Sequence, residues 1–310
     1  MLTLLFLNVL CAKILNVMKD LLFIYNPRAG KGSIGTHLGD IIDIFTSAGY
    51  RVTVYPTKCH GDGEVVAGQW CERFDRIVCA GGDGTLDEIV TGVMGAGVKM
   101  PIGYLPTGST NDFGRSIGIP KSIRKAAKTA VSDNLFKCDL GKFNSRYFVY
   151  VAAFGLFTDV TYETDQNMKN IFGYTAYLAE AVKRLPSIRS IPLRITYDDN
   201  VISDDFLVGL VTNSDSVGGI KGITGPDVKL DDGVFEVLLV RAPDNILEFN
   251  LIAPAILDRR IKSDNVICFR CSRIIIESDE PIAWTLDGEF GGMVDRAEIE
   301  NMHEAVEFVI

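Results

Sequence analysis

The chain has little of what several common chemistries need. Its 31 Lys and Arg residues are outnumbered by 40 Asp and Glu, giving a net charge of -9. That balance excludes broad nucleic-acid binding, because a phosphate backbone is held by excess cations. No G-x-x-x-x-G-K-[ST] string occurs, which excludes a P-loop. The 3 histidines, His37, His60 and His303, stand isolated, with no Ser/His/Asp or Cys/His arrangement around them. The 7 cysteines are odd in number and scattered through apolar segments, as free thiols of a reducing compartment are. Cys268-x-x-Cys271 has no second Cys/His pair to complete a zinc site, and it lies in a strand-like run whose residues three apart face opposite sides. The apolar opening, residues 1–17 with one charge at Lys13, lacks a basic leader and a small-residue cleavage site and is short for a membrane span. An extension upstream of a natural start at Met18 is the first expectation for it, and a peripheral anchor the second.

What is present points to phosphate chemistry. The apolar run Arg76-Ile77-Val78-Cys79-Ala80 enters Gly81-Gly82-Asp83-Gly84-Thr85, a turn able to set backbone N–H groups against phosphate oxygens while aiming a carboxylate at a metal. The length of 310 residues and 47% hydrophobic content suffice for two cores. From Met18, short apolar runs at 21–25, 51–55, 77–80 and 102–105 alternate with helical stretches at 34–48, 64–70 and 86–94. That alternation predicts a doubly wound parallel α/β domain with loops at strand C-termini.

Two further loops occupy such strand ends. The first, Asn26-Pro27-Arg28-Ala29-Gly30-Lys31-Gly32-Ser33-Ile34-Gly35, contains G-x-G-x-x-G, yet the second strand ends at Pro56-Thr57-Lys58 without the acid that holds a dinucleotide ribose. The other, Pro106-Thr107-Gly108-Ser109-Thr110-Asn111-Asp112-Phe113, supplies hydroxyls, an amide and a carboxylate. The second half reads as strands at 147–152, 194–197, 206–212, 235–240, 266–271 and 274–277, with helical patterns near 173–185 and 246–257; a β-sandwich is their natural packing. Phe154, Phe157, Phe172, Tyr174 and Tyr177 are expected mostly in the core, with an acyl-chain channel as the other reading.

Taken together, the 26–30 loop, the 81–88 string that continues through Leu86-Asp87-Glu88, and Gly108-Ser109-Thr110-Asn111-Asp112-Phe113 resemble the diacylglycerol kinase catalytic-domain family, specifically its bacterial soluble lipid kinases. The resemblance continues in Cys138-Asp139-Leu140-Gly141, Lys229-Leu230-Asp231-Asp232-Gly233 and Trp284-Thr285-Leu286-Asp287-Gly288-Glu289. It implies an ATP-binding α/β domain (18–138, rejoined by 291–310), a β-sandwich lipid domain (139–290) and an active site in the cleft between them. Asn26, Pro27, Arg28, Ala29, Gly30, Thr57, Gly82, Asp83, Gly84, Thr85, Leu86, Asp87, Glu88 and Ser109 match ATP-contacting positions, Ser109 standing where the family usually has Thr. Asp83, Asp112 and Asp139 match the acidic set around the catalytic Mg²⁺, and Glu289 the proton acceptor. Lys229, Asp232 and Val234 match a second, structural Mg²⁺ site, although by sequence alone Asp231-Asp232-Gly233 is a hairpin turn.

The implied activity is Mg²⁺-dependent transfer of the γ-phosphate of ATP to a lipid hydroxyl, diacylglycerol first, in phospholipid metabolism. The alternatives are an NAD kinase, which shares the Gly-Gly-Asp-Gly turn, and a nucleotide- or lipid-binding regulator without turnover. Lys121, Arg124, Lys125 and Lys128 fall at i, i+3, i+4 and i+7 and form a basic stripe suited to anionic headgroups or simply to solvent. A cytoplasmic protein in peripheral membrane contact is therefore expected, with a homodimer left open.

Overall fold

The computed structural model describes residues 18–310 except 31, 33, 156–189, 215, 218–219, 222–224, 226, 258–260 and 262. The helical pattern at 173–185 and the aromatic residues Phe157, Phe172, Tyr174 and Tyr177 lie outside the described residues. Strands β1 (Lys19–Tyr25), β2 (Tyr50–Pro56), β3 (Arg76–Gly81) and β4 (Ile102–Pro106) pair in parallel in the order β4-β3-β1-β2. All of β3 and the centre of β1 are buried, as near-continuous apolar runs are when both faces of a sheet are covered. Helices α1 (Ile34–Ser47), α2 (Asp62–Trp70) and α3 (Asp83–Ala96) follow β1, β2 and β3. Helices α2 and α3 pack at Gly92, where an added Cβ would lie 2.3 Å from the Glu64 carbonyl, so glycine sets their close approach. Two short helices, α4 (Asp112–Ser116) and α5 (Ile123–Thr129), complete this half.

The second half is built from strands. In chain order they are β5 (Leu135–Phe143), β6 (Arg146–Phe148), β7 (Val151–Phe154), β8 (Ile191–Tyr197), β9 (Asn200–Thr212), β10 (Ser216–Val217), β11 (Ile220–Lys221) and β12 (Phe235–Arg241). Helix α6 (Ile246–Leu257), β13 (Val266–Cys271), β14 (Arg273–Leu286) and β15 (Glu289–Val309) follow. The long strands β9 and β14 each change partner along their length, so the pairings close on themselves in the cycle β8-β9-β7-β14-β8. Trp284 fills the enclosed core, its ring 5.0 Å from Phe143 and 5.1 Å from Phe154. Within β13, Cys268 is exposed and Cys271 buried, as opposite faces of a strand require.

Strand β15 joins the halves. It runs antiparallel to β14 and β5, and its last residues, Phe308 and Val309, pair in parallel with Ile102 and Gly103 of β4. Two sequence expectations are corrected. The strand expected over 147–152 is two strands, because the amides of Val149, Tyr150 and Val151 turn to the Asp287 carboxylate. The strand expected over 274–277 continues to Leu286 past Pro281, with a register shift between Glu277 and Ile282 that accommodates the proline. Among the described residues no helix is long and apolar enough to cross a membrane.

Candidate active site

Three loops at the C-terminal ends of β1, β3 and β4 meet. Asn26 donates its backbone N–H to Ala80 O at 2.8 Å and accepts that of Arg28 on Oδ1 at 2.9 Å, an Asx turn that folds the first loop back on itself. The N–H of Thr107 donates to Gly81 O at 2.8 Å, joining the second loop to the third. The loops touch through glycine: a Cβ on Gly30 would lie 2.4 Å from Thr107 O, and one on Gly108 would lie 2.5 Å from Gly82 Cα. Gly30 also has φ +58°, in the region that glycine enters at little cost. Asn111, at φ 52°, locks the third loop by accepting the Gly108 N–H at 2.8 Å and donating to Gly108 O at 2.9 Å.

Helix α3 begins at Asp83, whose Oδ2 accepts the Asp112 N–H at 3.2 Å while the buried Oδ1 has no hydrogen-bond partner. Burial, with the neighbouring charge of Asp112 second, pushes the Asp83 carboxyl up to about 7. Asp112 is itself 1% exposed, and its Oδ1 accepts from Ser216 Oγ at 3.1 Å. The Thr107 hydroxyl is likewise buried without a partner. Two buried carboxylates and an unpartnered oxygen make a donor set suited to a hard divalent cation, which takes one or two carboxylates and fills the rest of its sphere with water or phosphate.

The turn between β14 and β15 faces this helix. Asp287, at φ 50°, receives the N–H groups of Val149, Tyr150 and Val151 at 2.5, 2.9 and 2.9 Å, which pins the turn to the segment joining β6 and β7. Burial outweighs those bonds and raises Asp287 to about 6. The Asp87 carboxyl of α3 lies against it and is pushed well up by burial first and by Asp287 second. Glu289 is half-buried two residues beyond Asp287, with Oε1 3.2 Å from where a Cβ on Gly84 would stand. Arg146, the first residue of β6, donates from Nη1 to Phe290 O at 3.3 Å and is exposed.

The structure thus brings Asp83, Asp112 and Glu289 together. Asp139 points elsewhere: its oxygens take the N–H of Gly233 (2.6 Å) and of Glu304 (2.8 Å), and His303 Nδ1 lies 3.0 Å away, so that histidine is not isolated in space. A chain of contacts connects it to the cleft. Asn213 donates to Asp139 O at 2.8 Å, Ser214 bonds to Ser216 O at 2.7 Å and to Ser116 Oγ at 2.9 Å, and Ser216 reaches Asp112. Glu88 directs both oxygens to the Gly61 and Gly63 amides near the start of α2, at 2.8 and 3.0 Å. Thr57 follows β2 with its N–H on Tyr25 O, and Ser109 is exposed at the cleft loop. Lys229, Asp232 and Val234 lie on the loop before β12, where Asp232 Oδ1 accepts the Val234 N–H at 3.3 Å. Nearby, Arg270 is 4.0 Å from Asp232 and 2.9 Å from the buried Glu236. Asp287, Arg146 and the Asn213, Ser214 and Ser216 hydrogen bonders were not singled out by sequence reasoning; the one available signal was the position of Asp287 inside a recognised string.

A phosphate-type loop cluster on an α/β sheet, facing a carboxylate from a β-sandwich, defines a two-domain phosphotransferase. The diacylglycerol kinase catalytic domain family matches residues 20–143, and the YegS C-terminal NAD kinase beta sandwich-like domain family matches 151–307. The chain is 34% identical to a diacylglycerol kinase of Bacillus subtilis strain 168 over 94% of this chain and 97% of that protein. It is 36% identical to one of Staphylococcus haemolyticus, over 87% and 82%. A crystal structure of a diacylglycerol kinase from Bacillus anthracis superposes with a TM-score of 0.79 at 26% identity, covering 94% of this chain and 96% of that one. The chain belongs to the diacylglycerol kinase catalytic-domain family, and it is a lipid kinase.

Proposed function

We propose that the enzyme transfers the γ-phosphate of ATP to the free hydroxyl of diacylglycerol, giving phosphatidic acid, with Glu289 as proton acceptor. The observation that carries this reading is the approach of Glu289 to Gly84 at the start of α3, which sets a base beside a phosphate-type loop. ATP lies along the 26–30 and 82–88 loops with Thr57 and Ser109, in a doubly wound domain made of 18–138 and 291–310. Residues 139–290 receive the lipid. Asp83 and Asp112 would hold Mg²⁺, which supplies charge neutralisation at the phosphates when bound. Asp139 supports them from behind through Asn213, Ser214 and Ser216, and Lys229, Asp232 and Val234 would hold a structural Mg²⁺.

The acceptor is tested by supplying labelled γ-phosphate ATP and Mg²⁺ with a panel of lipids in mixed micelles, beside NAD. Label in phosphatidic acid is expected; label only on NAD, or on no acceptor, overturns the assignment.

The enzyme works in the cytoplasm, in peripheral contact with the membrane that holds its substrate. Supporting this are Phe290 and Met293, 54% and 61% exposed on the strand that begins at Glu289, and the α5 stripe, in which Arg124 is committed to Asp40 at 2.8 Å while Lys125 and Lys128 are exposed. Lys125→Glu with Lys128→Glu is expected to weaken cosedimentation with anionic vesicles about 30-fold, at roughly 1 kcal/mol for each of the two cations, and to leave turnover of a micellar substrate unchanged. Unaltered sedimentation would remove α5 from the contact.

A further inference from the structure

The cleft has an electrostatic deficit. Asp83, Asp87, Asp112, Asp287 and Glu289 converge where a polyanionic nucleotide must bind, so positive charge beyond one divalent ion is required. Arg146 is placed to supply it. Strand β6 packs against α3, and the guanidinium sits at Phe290 O, one residue after Glu289 on the same strand. Its charge also reaches Asp87, whose proton affinity it lowers against the larger effect of burial. Asp287 does not consume that charge, because its carboxylate is met by three backbone N–H groups. Of the other cations near the site among the described residues, Arg115 lies 3.9 Å from Asp112, and Arg28 is exposed on the first loop.

We propose that Arg146 is a catalytic phosphoryl-binding residue, whose guanidinium contacts the non-bridging oxygens of the phosphoryl group in transit from ATP to the lipid. The planar fork of donors matches those oxygens in pairs, which a lysine cannot do. In the step, the lipid hydroxyl oxygen bonds to the γ-phosphorus, and the bond from that phosphorus to the bridging oxygen breaks with its electron pair going to ADP. The hydroxyl proton passes to Glu289, and Arg146 gives up no proton. The inference rests on Glu289 being the base.

The experiment compares Arg146→Ala, Arg146→Lys and Glu289→Gln with the parent, using labelled ATP and micellar diacylglycerol. Both Arg146 variants should lose about 10²–10³-fold in kcat, the effect of removing one preorganised donor from a developing charge. The KM for lipid and the melting temperature should stay near the parent's. Millimolar guanidinium should restore part of the activity of Arg146→Ala and none of Glu289→Gln. If Arg146 only pins the hairpin, kcat and melting temperature fall together and guanidinium restores nothing, which overturns the proposal. Full activity of Arg146→Lys overturns it too. An active Glu289→Gln would instead overturn the base assignment and this inference with it, whereas failed guanidinium rescue with an inactive Glu289→Gln overturns the role of Arg146 alone.

Discussion

Glu289→Gln is expected to lower kcat by about 10²–10⁴-fold, the range for loss of a general base, while ATP binding and melting temperature remain near the parent's. The side chain is half-buried, directly after an Asp-Gly turn that three hydrogen bonds from backbone N–H groups fix in place. Gln keeps the shape and the contact over Gly84 and removes the negative charge and with it the capacity to take a proton. Glu289→Asp is the sharper variant, since it keeps the base and withdraws it by one methylene; it should lie between Gln and the parent. Steady-state transfer of labelled phosphate to diacylglycerol, with ATP affinity measured separately, separates these cases. A Gln variant with parental kcat would show that the lipid hydroxyl loses its proton elsewhere.

Asp83→Asn is expected to abolish turnover, by about 10³-fold or more, and also to make the metal-free protein more stable. The Asp83 carboxyl is raised from 3.8 to about 7, chiefly by burial. Below pH 3.8 folded and unfolded chains are both protonated, so the group costs nothing. As pH rises towards 7 the unfolded chain ionises first, and stability falls by about 1.4 kcal/mol per unit, about 4 kcal/mol in all. Above pH 7 the folded enzyme carries the full cost. Asn removes it, so at pH 8 in chelator the variant should melt several degrees higher than the parent, and near pH 4 the two should coincide. Mg²⁺ should raise the parent's melting temperature at pH 8 and not the variant's, because a ligand of the folded state stabilises in proportion to its binding. A variant that melts lower than the parent at pH 8 would mean that Asp83 is held by favourable partners and not poised for a cation.

Both predictions concern residues that stood in recognisable strings, and the α/β half as a whole was similarly legible. Strands β1, β3 and β4 are short apolar runs that end in glycine or proline loops, and α1 buries Ile34, Ile41 and Phe45 along one face. Those signals are local, carried by a residue and its near neighbours. Strand β14 was read only in its first part because Pro281 interrupts the pattern, and β6 and β7 were merged because the bonds that divide them come from Asp287, some 137 residues away.

The sequence by itself determined the alternating α/β order, the three phosphate-type loops and, through resemblance, the lipid-kinase family. Tertiary structure alone decided which carboxylates share the cleft. It set Asp83, Asp112 and Glu289 together, turned Asp139 towards Gly233 and Glu304, and carried Arg146 to the strand that bears Glu289. The reason is that loop chemistry is encoded over a few residues, whereas charge convergence depends on β15 crossing between the halves. That crossing is specified by pairings with β4, β5 and β14 that no local pattern contains.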